Sequence, residues 1–318
     1  MAAPTNTVTT VNNIGIREDL EDDIYRVAPE KTPFTSNIKG VKAKSTFHEW
    51  QIEDLASVDA SNFQLEGDDV STLDAANLTT RVGNYTQIFR KTGGVAGTQE
   101  AVSLAGRADE MDRQKMLKGM EMKRDIEARL IGNFASNAQS GGTPRKAAGA
   151  LAWITSNDSR GGSGADGGYS AGTVSAATNG TQRTFTEVLV KAMLATAFSN
   201  GAMFSQAYMG GTHKQQFSAF TGIADIRADV SGKGQAVIYG AADVYVSDFG
   251  AITLIPHPYG LTRDCLFIDP SMVAVGTLRP VESKVLASAG DNEKFLLVTE
   301  KTLVVRNQKG LGVVADLT

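Results

Sequence analysis

The side chains able to do chemistry are few and scattered. Three histidines, His48, His213 and His257, stand far apart in the chain. None belongs to an H-x-x-x-H or H-E-x-x-H spacing, so no metal-binding helix face is implied. The single cysteine, Cys265, falls in the apolar run Cys265-Leu266-Phe267-Ile268, where a small core residue is expected. Ser231-Gly232-Lys233-Gly234 superficially fits a phosphate-cradling loop. That loop needs Gly where Arg227 stands and Ser or Thr where Gly234 stands. Gly161-Gly162-Ser163-Gly164-Ala165 misses the nucleophile-elbow pattern at its last position. What remains is a run of carboxylates: Glu53, Asp54, Asp59, Glu66, Asp68, Asp69 and Asp74. No Lys or Arg occurs from Ser45 to Thr80. EF-hand spacing is absent. The pattern points to a solvated charged tip suited to a basic patch on a neighbouring molecule. No catalytic, metal-ligating or cofactor-binding residue is assigned, and no cofactor is expected. A metal-dependent enzyme using the acidic stretch is the catalytic alternative.

The elements that must carry this tip are legible from periodicity. Residues 44–55 and 78–90 alternate, with His48, Trp50 and Ile52 on one side of the first and Leu78, Thr80, Val82, Thr86 and Ile88 on one side of the second. They predict a long hairpin reaching roughly 40 Å. A two-stranded ribbon is marginal alone in water, so it must lie on something. Leu20, Ile24 and Val27 predict a short helix that Ala28-Pro29 ends, after a polar arm at 1–13. Thr32-Pro33-Phe34 is expected to be extended. Residues 99–138 predict a helix on the order of 50 Å long. Its stripe of Met116, Met120, Leu130, Ile131 and Phe134 is interrupted by Lys123 and Glu127, an expected i,i+4 pair.

Downstream, the glycine-rich stretch 139–182 is expected to be a surface loop anchored only by Trp153 and Ile154. Thr184-Phe185-Thr186-Glu187 matches a capping box before a helix with Val188, Ala192 and Ala195 in one row and Leu189 and Met193 beside it. Asn200-Gly201 stops that helix. Thr212 could cap a second one carrying Phe217 and Phe220. Strands follow at 244–246, 252–255, 266–268 and 296–305, with a final Val313-Val314. The pattern is α+β with antiparallel strands.

Composition sets outer bounds. The chain has 318 residues and 42% hydrophobic content, enough for a sizeable core. Its 31 basic and 35 acidic residues include no basic block, which leaves any contact with nucleic acid passive. One cysteine permits no internal disulfide. No apolar run approaches the ~18–20 residues of a membrane span. The first residues lack the basic start and apolar stretch of a signal peptide, so a cytoplasmic product is expected.

The order of parts is polar arm, acidic hairpin, long helix, glycine-rich loop, α+β body and closing strands. It resembles the major capsid protein of tailed bacteriophages, with the Hong Kong 97 type of fold. Local wording carries the resemblance further. Gly15-Ile16-Arg17-Glu18-Asp19-Leu20, Ala28-Pro29, Thr32-Pro33-Phe34 and His48-Glu49-Trp50-Gln51 are similar to the start of one capsid subfamily. Phe267-Ile268-Asp269-Pro270, Leu278-Arg279-Pro280, Gly290-Asp291, Glu300-Lys301-Thr302-Leu303 and Arg306-Asn307 are similar to its end. The resemblance covers nearly the whole chain and implies an N-terminal arm at 1–40, an E-loop hairpin at 41–96, and a spine helix with P-domain at 97–182. An A-domain at 183–265 and closing P-domain strands at 266–318 complete it. It implies hexamers and pentamers tiling an icosahedral shell around double-stranded DNA, inside a virion and with no membrane. Decoration or scaffolding proteins are the further partners it suggests. Contacts between subunits are expected at Leu20, Ile24, Phe34, Trp50, Glu66, Asp68 and Asp69. An encapsulin-type compartment enclosing enzymes is the alternative within the same fold. Relatives welded by a Lys–Asn bond from the E-loop use a lysine that this hairpin lacks, so a non-covalent shell is expected.

Overall fold

A computed structural model of the chain describes residues 28–67, 69, 73–102, 109–220 and 243–318. In chain order, helix α1 (Pro33–Asn37) leads into strand β1 (Lys39–Lys42). A ribbon follows, β2 (Phe47–Ile52) and β3 (Thr80–Tyr85), and then β4 (Gln87–Ala96) and the short α2 (Gly97–Ala101). The long helix α3 (Glu110–Ile131) comes next, followed by a 3-10 turn at Ala150–Trp153 and three short strands, β5 (Asp158–Ser159), β6 (Gly168–Ser170) and β7 (Thr173–Ser175). Then come α4 (Glu187–Ser199), β8 (Gln206–Met209), α5 (Gly211–Ser218), β9 (Val244–Ser247) and β10 (Gly250–Pro256). The chain closes with β11 (Cys265–Ile268), β12 (Val273–Leu286), β13 (Asn292–Val305) and β14 (Leu311–Val314).

Two sheets organise the body. One has the order β1-β12-β13-β4, and the other the order β5-β14-β11-β8-β10-β9. Two apolar clusters pack on them, and the second sheet contributes to both. The first joins Ile126, Leu130 and Ile131 of α3 to Val275, Leu297 and Leu303 of the first sheet and to Trp153 and Ile154. The second joins Val190, Met193 and Leu194 of α4 to Phe217, Ile252 and Phe267. The class is α+β as expected. The sheets are not purely antiparallel, since β1 with β12, β8 with β10 and β5 with β14 pair in parallel.

Helix α3 begins where Asp109 accepts a hydrogen bond from the Asp112 amide at 2.8 Å. Glu110 and Asp112 in the first turn and Arg129 in the last complement the helix dipole. Its 22 residues span about 33 Å, shorter than the sequence suggested. The buried stripe is Met111, Met122, Ile126, Glu127, Leu130 and Ile131, while Met116 and Phe134 are exposed. Apolar type alone misplaced the stripe because Met tolerates exposure and the buried face includes a carboxylate.

Several local expectations give way to tertiary context. Pro33 to Asn37 form a helical turn instead of an extended stretch, with proline at its first position where no amide partner is lost. Thr186, not Thr184, caps α4, and its side chain makes no cap bond. The buried row of α4 is Val190, Met193, Leu194 and Ala197, and Val188 is exposed. The glycine-rich stretch is not a surface loop throughout. Ala147 is buried, and Ala148 and Ala150 to Ile154 are buried in the first cluster, because small residues let the backbone thread between α3 and the sheet. The helix expected around Leu20 and Ile24, and the Ser231–Gly234 loop, lie outside the described residues.

Candidate functional site

The ribbon β2–β3 presents one face to the body. Its register sets His48 opposite Asn84, Trp50 opposite Val82 and Ile52 opposite Thr80, so these residues share a face. Val82 and Asn84 are buried, and Trp50 packs on Trp153 with ring centroids 5.6 Å apart. Asn84 donates to the carbonyls of Ala148 and Leu303 and accepts from the Ala148 amide at 2.9 Å. The other face carries Glu49 and Arg81, paired at 2.9 Å in solvent. The ribbon is therefore tied down at its base.

Beyond Ile52 the chain runs without strand pairing to Thr79 among its described residues. This loop holds the acidic run and an unexpected set of exposed apolar side chains. Val58 is 97% exposed, Phe63 80% and Leu65 81%, with Leu55, Leu73 and Leu78 similar. The described residues of the chain leave these side chains uncovered, and exposed apolar groups in such number are of the kind that marks an interface. Glu66 and Asp69 are exposed here, and Asp68 lies outside the described residues. Asp54 at the loop's start reaches Lys309 at 2.8 Å.

At the pivot where the ribbon leaves the sheet, Thr86 interrupts the strand expected to run unbroken from 78 to 90. Its hydroxyl donates to Glu300 at 2.6 Å, and Arg145 meets the same oxygen at 2.6 Å. Arg279 holds the other oxygen at 3.1 Å. Burial pushes the Glu300 carboxyl upward, but the bonds from Thr86, Arg145 and Arg279 outweigh it and set its pKa below the ordinary range. The break turns Ile88 outward while Phe89 points into the core.

A second buried carboxylate fastens the N-terminal segment. Glu127 accepts from the Phe34 amide at 2.6 Å, from the Thr35 amide at 2.9 Å and from the Thr35 hydroxyl at 2.6 Å. His257 Nε2 lies 2.9 Å from its Oε1, with both side chains fully buried. Burial raises the Glu127 pKa, yet the bonds from His257, Thr35 and Phe34 prevail and the net shift is downward. The expected pair with Lys123 does not form, since these donors occupy both carboxylate oxygens. Phe34 is 0% exposed and packs edge-on against Tyr208 at 5.5 Å. In the described chain its side chain therefore fills its own core. Leu20 and Ile24 lie outside the described residues.

Two of these features carry a signal in the sequence. Glu127 interrupts an apolar stripe and Glu300 an apolar strand, and buried carboxylates of that kind need several donors. Their donors come from distant segments, which spacing does not disclose. Among the described residues, no group of three or more His, Cys, Asp or Glu side chains could hold a metal ion, and no helix is long and apolar enough to cross a membrane.

Comparison with known proteins settles the family. The model of the SU10 major capsid protein family matches residues 3–318. The chain belongs to that family. Its members are structural proteins of phage capsids by name, in accord with the resemblance read from the arm, hairpin and closing strands. The major capsid protein of Escherichia phage Phieco32 is 34% identical over 137 residues. That alignment spans 42% of this chain and 38% of the relative, well under half of either. Solved capsid chains share the fold across their whole length. The cyanophage A-1(L) capsid chain superposes with a TM-score of 0.66 at 11% identity, covering 98% of both chains. The capsid of the native GTA particle gives 0.61 at 12% identity, covering 99% of this capsid chain and 100% of that one. The structure of the phage G gp27 major capsid and gp26 decoration proteins gives 0.56 at 13% identity, with 100% of both chains covered.

Proposed function

We propose that this SU10-family capsid chain self-assembles into the hexamers and pentamers of an icosahedral phage head and encloses the genome passively, without enzymatic activity. The observation that carries this reading is the loop from 53 to 79. Among the described residues it presents exposed apolar side chains and exposed carboxylates, from a base that the body holds firmly. Covering that apolar surface on a neighbour would stabilise each contact by about 25 cal/mol per Å². The segment boundaries follow the same logic, with the arm at 1–40, the hairpin at 41–96, the helix and glycine-rich part at 97–182, an A-domain at 183–265 and closing strands at 266–318. Trp50 contacts the next subunit from the hairpin's base, while Glu66, Asp68 and Asp69 meet basic residues of that subunit. Leu20 and Ile24 anchor the arm. Assembly takes place in the host cytoplasm, and decoration or scaffolding proteins are further partners.

The test is expression of the chain alone and with its neighbouring phage genes, followed by sedimentation and electron microscopy. Closed shells of uniform diameter are expected. A stable monomer or small oligomer under all these conditions sinks the proposal, and shells filled with copurifying enzyme instead of DNA transfer it to an encapsulin-type compartment.

A further inference from the structure

A cavity of about 320 Å³ opens between α1, α3 and the first sheet, and its lining includes Thr32, Lys123, Ile126, Val275, Thr277 and Lys301. Its two lysines come from different layers. Lys123 stands on α3, and Lys301 stands on β13 of the sheet against which α3 packs.

Lys301 finds no counter-charge on its own sheet. Its register partners are Thr277 on β12 and Gln87 on β4, both uncharged. Thr299 and Leu303, two residues away on the same face, are uncharged as well. Glu300 is next in sequence, but alternation turns it to the other face, where Thr86, Arg145 and Arg279 hold both its oxygens. Lys123 is no better served by α3. Glu121 meets Lys118, Asp125 meets Lys91, and the Glu127 oxygens are taken by Phe34, Thr35 and His257. Neither Lys123 nor Lys301 forms an ion pair among the described residues. Burial first, and then the positive charge of Lys123, holds the Lys301 ammonium below the ordinary lysine range. Two cations thus line one cavity with their repulsion uncompensated, and a bound anion would relieve it.

Charge and donor count narrow the anion. A carboxylate carries one negative charge and would leave one ammonium unbalanced. Phosphate with a free second ionisation carries about −1.5 to −2 at pH 7, close to the charge of two ammonium groups. Its oxygens also accept from further donors. The hydroxyls of Thr35 and Ser36 are committed to Glu127 and to the Thr32 carbonyl. Those of Thr32 and Thr277 donate to no described residue and line the same cavity. We propose that this cavity binds a phosphoryl group, with Lys123 and Lys301 balancing its charge and the Thr32 and Thr277 hydroxyls donating to its oxygens. Inorganic phosphate meets these demands directly. A nucleic acid is the other source of the group, and would meet them with two successive backbone phosphates of one charge each. The site lies within a single chain, so the inference does not depend on the capsid reading.

Melting of the full-length, unassembled chain tests it, with ionic strength held constant by sodium chloride. Saturating inorganic phosphate should raise the melting temperature by about 5 °C over chloride alone, and acetate should not. Phosphate also stabilises proteins by exclusion from their surface, so the site is read from the difference between chains. Lys123→Gln and Lys301→Met should each abolish the saturable part of the shift. Without phosphate both variants should melt at or above the wild-type temperature, because each removes one of two repelling charges; a purely structural role would predict the reverse. Lys123→Arg should keep the shift, and so should Lys284→Gln, which lies outside the cavity. A labelled DNA duplex followed by anisotropy separates the sources. Binding that weakens about tenfold in Lys301→Met and is displaced by phosphate assigns the site to nucleic acid. A phosphate shift without duplex binding assigns it to free phosphate. Shifts of equal size in the wild type and both lysine variants would overturn the proposal, as would acetate acting as well as phosphate.

Discussion

Glu127 and Glu300 each hold together segments distant in sequence, and each does so as a charged group out of water. Glu127→Ala would strand the buried Phe34 amide and His257 without an acceptor. It should cost the subunit about 3 kcal/mol, read as a drop in the denaturation midpoint. Protease should then cut near residue 30 sooner than in the parent, because α1 loses its clasp. The sign of the pH dependence follows from the direction of both shifts. A carboxyl whose folded pKa lies below its unfolded value stabilises the fold above about pH 4.3, and that contribution is lost as pH falls through the folded value. Asp158 and Asp264 oppose this: burial first, then a neighbouring carboxylate (for Asp264, the Asp316 charge), raises their pKa, so their protonation favours the fold. The net acid limb should therefore steepen only below about pH 4. Thermal melts of the unassembled subunit between about pH 3 and 7 should show that limb flattened in a Glu127→Gln, Glu300→Gln variant. An unchanged limb would mean that other carboxylates control it.

Among the elements, the segment at 147–154 shows what periodicity misses. It threads between α3 and the sheet, and a Cβ at Gly149 would fall onto the carbonyl oxygens of Gly132 and Arg129. Gly149→Ala should destabilise by about 3 kcal/mol, with soluble yield falling in step. Gly141 and Gly142 stand in open space, and Gly142→Ala is the control expected to change nothing measurable. The segment's Ala and Gly content reads as low complexity, yet small size is what close packing demands there. Strands were legible where apolar runs are buried on both sides, as in β11, where all four residues are buried. The ribbon was legible from alternation. Its break at Thr86 was not, because the hydroxyl's partner Glu300 is 214 residues away. The Asn200-Gly201 stop of α4 was legible because Gly201 adopts φ +78, which its lack of a Cβ permits. Of the candidate contact residues, Glu66 and Asp69 are exposed, and Asp68 lies outside the described residues. Phe34 is buried against Tyr208 within its own chain, and an apolar residue beside a proline in a polar segment carries no mark of which surface it meets. The tip acids give the test at this scale. Glu66→Ala, Asp68→Ala and Asp69→Ala together should leave subunit stability within roughly 0.5 kcal/mol of wild type while lowering shell yield. Unimpaired shells would remove the tip from the interface.

In the whole molecule, opposite demands meet in one loop. Its charges act at a distance and its apolar side chains act on contact, so the two should separate in kinetics. Charge complementarity speeds encounter and selects register, whereas buried apolar area governs how long a contact lasts. Raising salt from about 0.1 to 1 M shortens the screening length from about 10 to 3 Å. Assembly followed by light scattering should then slow several-fold, while shells already closed should persist, since salt does not weaken apolar burial. Dissociation of finished shells by salt alone would show that charge, not apolar contact, holds the loop. The bond holding it should also be wholly non-covalent. With no Lys from Ser45 to Thr80, the loop has no amine to form an amide with a neighbour's side chain. Purified particles boiled in detergent should therefore give one band near the 33.6 kDa of the single chain. A ladder of multiples would require a crosslink from outside the loop, and would move the source of shell strength away from the surfaces that the ribbon presents.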